Sequence, residues 1–322
     1  TLYGTTINSL DAQYSTTLKL TGAGGLDLDA VELADPAGTA TAVIDASGMS
    51  GKLKLDTGFK ATATDTVTIT LGSGTNSVNF AAEGLSADSV IGTTGAKDTV
   101  SLLEAAADTQ MTITNIDTVK LTGAGATKKI SAKKMTDVGV IAIYDAAGND
   151  NGSDNISVNN IAAGQAIEIH STSATKADWD GDTVTLDLAT GVTAGSIAIK
   201  GGVGLEGTGV ISSDIISMDL AIGNKSATTG VSFNQTVVLS NTAATAPLTT
   251  LTLTGGGLVS ASAYATTTLS ATNNVNISTL DATGYVGNLD ITGATTKAAG
   301  SVTLGAGANT ITVALGDLAR DA

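Results

Sequence analysis

The feature that most narrows the fold is repetition over a long interval. Residues 16–22 read TTLKLTG and 249–255 read TTLTLTG; 45–48 read DASG and 281–284 read DATG; 71–80 read LGSGTNSVNF and 304–313 read LGAGANTITV. The copies are 233, 236 and 233 positions apart, so a block of about 65 residues recurs in order with a slack of three in its middle. A fainter third copy runs from Val119-Lys120-Leu121-Thr122-Gly123 to Tyr144-Asp145-Ala146-Ala147-Gly148. Repetition on this scale marks solenoids and arrays, in which each unit buries its apolar edge on the next.

Inside and between the copies an aliphatic residue alternates with Thr, Ser, Asn or Lys, as in Val67-Thr68-Ile69-Thr70-Leu71, Val184-Thr185-Leu186-Asp187-Leu188 and Leu251-Thr252-Leu253. Period-two alternation gives a short strand with one dry and one wet face. Gly, Asn, Asp and Ser punctuate these runs, and helical periodicity is confined to a turn or so at Leu102–Ala107 and Ala132–Thr136. The fold class expected is all-β. A string of β-sandwiches would centre on large aromatics, yet aromatics are 3% of the chain and Trp179 is its one tryptophan. An irregular parallel β-solenoid with short strands, open to interruption by other β modules, is the better fit. The acidic, Gly/Asn-rich stretch at 148–155 suggests modules 1–145 and 146–322, with one continuous solenoid as the alternative.

Charge excludes several functions. Fifteen Lys and Arg stand against thirty Asp and Glu, and Arg320 is the sole arginine, so no basic face is available for nucleic acid or an anionic membrane. No apolar run is long enough for a membrane-spanning helix. There is no cysteine, which leaves packing or hard metal ions to hold the chain together. The start at Thr1, without an initiator methionine, reads as a piece or processed product of something larger.

Two acidic stretches are the candidate metal sites. Asp145, Asp150 and Asp154 lie with Asn149, Asn151 and Asn155 within eleven residues, and Asp178-Trp179-Asp180-Gly181-Asp182 sets three carboxylates on alternate positions beside a glycine. Such oxygen-rich spacing suits Ca²⁺, which takes 6–8 oxygen ligands. The G-x-G-x-N turns at 72–76 and 305–309 approach the calcium-binding β-roll nonapeptide, but Asn stands where that motif has Asp, and they read better as plain tight turns. Catalysis has little to work with: His170 is the only histidine and lies in a strand-like Ile167-Glu168-Ile169-His170 without a nucleophile elbow. Lys128-Lys129 with Lys133-Lys134 forms a basic island, either a solvated face or a docking patch for an anionic glycan or acidic neighbour.

Taken together, the cysteine-free composition, the Leu-x-Leu-Thr-Gly strands, Ile44-Asp45-Ala46-Ser47-Gly48-Met49-Ser50-Gly51-Lys52-Leu53-Lys54-Leu55 and Thr114-Asn115-Ile116-Asp117-Thr118-Val119-Lys120-Leu121 resemble bacterial surface-layer (S-layer) proteins of the calcium-dependent, type-I-secreted kind. The resemblance implies an extracellular structural protein, without enzymatic activity, that forms a two-dimensional crystalline array on the cell surface. It also implies calcium as cofactor, copies of itself as partners, and anchoring through lipopolysaccharide or another surface glycan. The stalk or binding module of a large secreted adhesin is the alternative reading.

Overall fold

The computed structural model describes residues 4–12, 15–29, 31–33, 41–56, 66–80, 88–103, 110–122, 128–144, 156–170, 183–200, 208–213, 216–222, 235–241, 247–260, 263–272, 275–294 and 301–313. Two units emerge from the contacts: residues 1–122 with 128–142, and residues 123–127 with 143–322. Each is a parallel β-solenoid, the architecture the alternation and repeats anticipate.

The first unit opens with β1 (Thr5–Ile7), β2 (Leu10–Ala12), β3 (Thr17–Gly22), β4 (Leu26–Leu28) and β5 (Val31–Leu33). It continues through β6 (Thr41–Met49), β7 (Leu53–Leu55), β8 (Thr66–Thr70), β9 (Asn76–Phe80), β10 (Ser89–Ile91), β11 (Thr99–Leu103) and β12 (Thr112–Thr122). Then follow β13 (Lys128–Ser131) and β14 (Met135–Tyr144), whose last two residues belong to the second unit. Two parallel ladders carry the coils. One stacks β3, β6, β8, β10 and the start of β12, and the other stacks β1, β4, β7, β9, β11 and the end of β12. Of the expected helical turns, Ala132–Lys134 is one 3-10 turn; Leu102-Leu103 closes β11, and residues 104–107 lie outside the described residues.

Alternation in sequence becomes stacking in space because neighbouring strands are parallel and in register. Ile44, Ile69, Val90 and Ile113 lie on successive coils as direct partners, all 0% exposed. Leu55, Val78, Val100 and Val119 make the matching column on the second ladder. On the wet face Thr66 lies opposite Thr41, and its Oγ1 donates to Thr41 Oγ1 at 3.1 Å. Branched aliphatic side chains fill this narrow interior without aromatics. Coil length is not fixed: register partners Leu26 and Leu53 are 27 positions apart, whereas Thr99 and Thr118 are 19 apart. The shortening falls at the corner between the ladders. There the glycine turn at 72–74 gives way to a single left-handed residue, Asn115 (φ 54), so that one strand, β12, serves both ladders.

The second unit comprises β15 (Ile156–Ile161), β16 (Ala166–His170), β17 (Thr183–Leu188), β18 (Ala194–Lys200), β19 (Thr208–Ser213), β20 (Ser217–Ile222), β21 (Gln235–Asn241) and β22 (Leu248–Gly256). After the short antiparallel pair β23 (Leu258–Ser260) and β24 (Ala263–Tyr264) come β25 (Thr266–Thr272), β26 (Val275–Val286), β27 (Asn288–Ala294), β28 (Ser301–Thr303) and β29 (Thr310–Val313). Parallel ladders again alternate: β16, β18, β20, β22, β26, β28 on one side and β15, β17, β19, β21, β25, β27, β29 on the other.

The long repeat is preserved contact by contact. Asp45 Oδ1 accepts from Ser47 N at 3.1 Å and Ser47 Oγ at 2.5 Å, and Asp281 Oδ1 accepts from Thr283 N at 3.0 Å and Thr283 Oγ1 at 2.7 Å. These bonds hold both carboxyls below the usual aspartate range, the Ser47 hydroxyl leading at Asp45 and the Thr283 amide at Asp281. Three rungs therefore correspond between copies: β3 with β22, β6 with β26, and β8 with β28.

Because columns are continuous, one hole should be felt along the stack. Ile69→Ala is expected to cost about 2–5 kcal/mol, while Thr66→Ala on the wet face should stay within about 0.5 kcal/mol; urea denaturation of both variants measures the contrast.

Candidate functional site

Asp145, Asp150, Asp154, Asp178, Asp180 and Asp182 lie outside the described residues. What is described is the strand ends from which their segments start and to which they return. Tyr144, just before the first acidic stretch, stacks its ring on that of His170, just before the segment holding the second, with centroids 4.3 Å apart and planes 15° from parallel. On the return side, Ile156 and Val184 are register partners in β15 and β17. The two acidic segments are thus strung between neighbouring anchor points. His170 Nε2 lies 2.9 Å from Glu168 Oε2, and Lys200 Nζ lies 3.5 Å from Glu168 Oε1. Burial, with help from Glu168, pushes the Tyr144 phenol up. The lone histidine is therefore tied into a half-buried cluster with aromatic, carboxylate and ammonium neighbours.

A carboxylate cluster that sequence inspection overlooked sits on the wet face of the second ladder. Leu26-Asp27-Leu28-Asp29 and Leu53-Lys54-Leu55-Asp56 align so that Asp27 faces Lys54, and oxygens of Asp27, Asp29 and Asp56 come within 4.8 Å of one another. Lys54 Nζ fills the middle, 3.1 Å from Asp27 Oδ1, 3.4 Å from Asp29 Oδ1 and in contact with Asp56. Asn79 donates to Asp56 from the next coil. Hydrogen bonds that the Lys54 ammonium donates to Asp56 first and Asp27 next hold it well above the usual lysine range. The triad carries its own cation, and any metal would have to displace it. The only sequence signal was the repeated L-D-L-D/L-K-L-D pattern, 27 positions apart.

The glycine turns explain themselves through asparagine. Asn76 Nδ2 donates to Gly72 O at 3.0 Å and Gly74 O at 2.9 Å, while its Oδ1 accepts from Leu53 N at 3.2 Å. In the other copy Asn309 Nδ2 donates to Gly305 O at 3.3 Å and Gly307 O at 3.2 Å, and Oδ1 accepts from Leu289 N at 3.3 Å. The turn carbonyls thus have an amide donor supplied by the chain itself. Both first glycines are required by proximity, since a Cβ at Gly72 would strike Met49 O and one at Gly305 would strike Tyr285 O.

From Asn76 a buried polar ladder climbs the corner. Asp98 Oδ1 accepts from Asn76 N at 3.0 Å and Asn76 Nδ2 at 2.8 Å, and Asp98 N donates to Asp117 Oδ2 at 3.0 Å. Asp88 does similar work, accepting from Val67 N at 2.9 Å. Asp98 is 0% exposed, and its second oxygen, Oδ2, has no hydrogen-bond partner. Burial foremost, and the Asp117 charge to a smaller degree, raise its carboxyl above the usual range against the pull of the Asn76 bonds. Beside this ladder a shallow cleft of about 170 Å³ is walled by Thr94, Asn115, Asp117 and Asp137.

No family model, curated protein or solved structure matches this chain.

Two outcomes follow from these clusters. Because the Asp98 pKa is raised on folding, its contribution is fully present below the unfolded value and is lost as pH rises through the folded value. Asp98→Asn should therefore raise the melting temperature at pH 7 and bring little or no gain near pH 3, in a calorimetric pH series. Lys54→Gln leaves three carboxylates uncompensated and should destabilise on the order of 1 kcal/mol at neutral pH. The loss should shrink as pH falls through the carboxylate range, as read by denaturant titration.

Proposed function

We propose that this chain is a structural, non-enzymatic module of a surface layer that assembles from copies of itself outside the bacterial cell, is stabilised by calcium, and is anchored to lipopolysaccharide or a similar surface glycan. The observation that carries this reading is repetition of contacts. The Asp45/Asp281 turns and the Asn76/Asn309 turns recur with the same partners 236 and 233 positions apart. Selection for shape along the stack, rather than for one reactive centre, is what an array module requires. The polar groups of highest density in the described residues support the same reading, because they are spent inside the rungs: Lys54 on three carboxylates, Asp98 and Asn76 on corner amides.

Calcium enters through Asp145, Asp150, Asp154, Asp178, Asp180 and Asp182. The strands flanking these segments meet at Tyr144 and His170 on one side and at Ile156 and Val184 on the other, which supports carboxylates from both stretches acting close together. Acidic copies repel one another until divalent cations offset the charge, so calcium outside the cell serves as the trigger for assembly. An adhesin stalk would use the same solenoid and would not tile a surface.

Titrating chelated protein with calcium, followed by calorimetry and by electron microscopy of the assemblies, tests the reading. At a hundredfold excess over the dissociation constant, stabilisation of about 2.7 kcal/mol and ordered sheets are expected, both lost in a variant with Asp150, Asp154, Asp178, Asp180 and Asp182 changed to Asn. Thermal stability and assembly indifferent to calcium would refute it.

A further inference from the structure

We infer that the corner at Asp98 is a proton-operated joint between two coils: with a proton on Oδ2 the side chain bonds Asn115 O of the next coil and holds the corner shut, and on losing that proton the joint loosens locally. The inference goes beyond the surface-layer reading and needs neither calcium nor a second copy.

The column to which it belongs shows what an acid adds at this place. Asn76, Asp98 and Asp117 each come just before the register partners Ser77, Thr99 and Thr118, so they occupy the same corner on three successive coils. The side chain of Asp98 works through one oxygen, Oδ1, which accepts from Asn76 N at 3.0 Å and Asn76 Nδ2 at 2.8 Å. An asparagine accepts such bonds equally well, and asparagine is what the chain places on the preceding coil, where Asn76 Oδ1 accepts from Leu53 N. What aspartate brings is a second oxygen that can gain and lose a proton. That oxygen is buried and without a partner, a costly state for a carboxylate and one that a proton relieves.

Gly92 keeps open the gap in which the oxygen finds its acceptor. A Cβ there would fall 2.1 Å from Asn115 O and 2.8 Å from Asp98 Oδ2, so a carbonyl of the next coil and the unpartnered oxygen border one small space. As two acceptors they repel; a proton on Oδ2 turns them into donor and acceptor. The same two coils are tied on either side of the gap, where Gly92 N donates to Thr114 O at 2.8 Å and Thr118 N to Asp98 O at 3.1 Å. Neighbouring charges favour the proton. Asp117 of β12 accepts from Asp98 N at 3.0 Å, and Asp137 of β14 shares the cleft wall with Asp117. Asn76, on the preceding coil, is uncharged, and Lys97, next to Asp98 in the chain, is exposed. Burial foremost, with Asp117 adding to it, holds the Asp98 carboxyl above the usual aspartate range.

Hydrogen exchange of single backbone amides, followed by NMR in chelator from about pH 4 to about pH 8 and corrected for the intrinsic rate, tests this. Opening the joint releases a proton, so protection at Asn76 N, Gly92 N and Thr118 N should fall by up to about tenfold per pH unit above the ordinary aspartate value, then level off once the folded-state value is passed. Asn288 N, which donates to Ala265 O in the second unit, should show no such step. Asp98→Asn supplies a permanent donor and should keep protection at the three amides high and flat. Asp117→Asn removes the neighbouring charge while leaving an acceptor for Asp98 N, and should move the levelling-off to lower pH. In the parent the Asp98 carboxyl carbon should titrate across the same window, a readout that does not depend on either variant folding. Titration of that carbon in the ordinary aspartate range would overturn the inference, as would constant protection at the three amides while it titrates, or lower protection in Asp98→Asn. So would an equal fall throughout the first unit, Val43 N included, because Asp98 would then act on global stability alone.

Discussion

Everything in this molecule rests on parallel strands stacking in register, so that a residue's neighbours are its equivalents on the coils above and below. Strands about 4.8 Å apart place Ile44 on Ile69 and Ile69 on Val90, and the same rule sets Thr66 on Thr41 and Lys54 on Asp27. A side chain is thereby judged by its column. Aliphatic columns are stable when unbroken, and a charge is tolerated when the coil above or below supplies its opposite. The corners obey a stricter version of the rule. There the backbone of one coil lies directly on that of the next, so Gly72 and Gly305 sit where a Cβ would meet a carbonyl oxygen.

Within that constraint the asparagine and aspartate of the corners are structural groups. A tight turn leaves its carbonyls and the amides of the neighbouring coil short of partners, and an unpaired buried backbone group is costly. Asn76 has both a donor and an acceptor on one short side chain, so it serves two carbonyls of its own turn and an amide of the preceding coil together. Asp98, which has no proton to donate when ionised, can serve the Asn76 groups with one oxygen while the other stays buried without a partner. That difference explains why burial leaves the corner asparagine at ease and raises the carboxyl pKa beside it.

Much of the fold was legible because strand alternation and glycine turns are local signals: Val67–Leu71 reads as a half-buried strand from its own five residues, and β8 is one. The copies at 71–80 and 304–313 likewise share the Asn-filled turn. What stayed hidden is register. Coils of 19 and 27 positions occur in one unit, so no fixed period tells which residues share a column. The Asp27–Lys54 pairing, the buried Asp98 ladder and the left-handed corner at Asn115 are all consequences of register or corner length, which the alternation leaves open. The acidic stretches 145–155 and 178–182 were conspicuous because their residues cluster in sequence, a pattern of composition rather than of stacking.

Those two kinds of acid have different physical meaning. Asp45 and Asp281 lock turns by binding the amide and hydroxyl two residues on; Asp27, Asp29 and Asp56 surround an ammonium; Asp88, Asp98 and Asp117 accept from backbone amides of adjacent coils. Each is explained by a neighbour within the rungs, and a solenoid without any affinity for cations would still need them. A net charge of −15 is therefore weak evidence for metal in itself. The calcium proposal therefore draws on Asp145, Asp150, Asp154, Asp178, Asp180 and Asp182, which lie outside the described residues and cluster in the sequence between Tyr144 and Ile156 and between His170 and Val184.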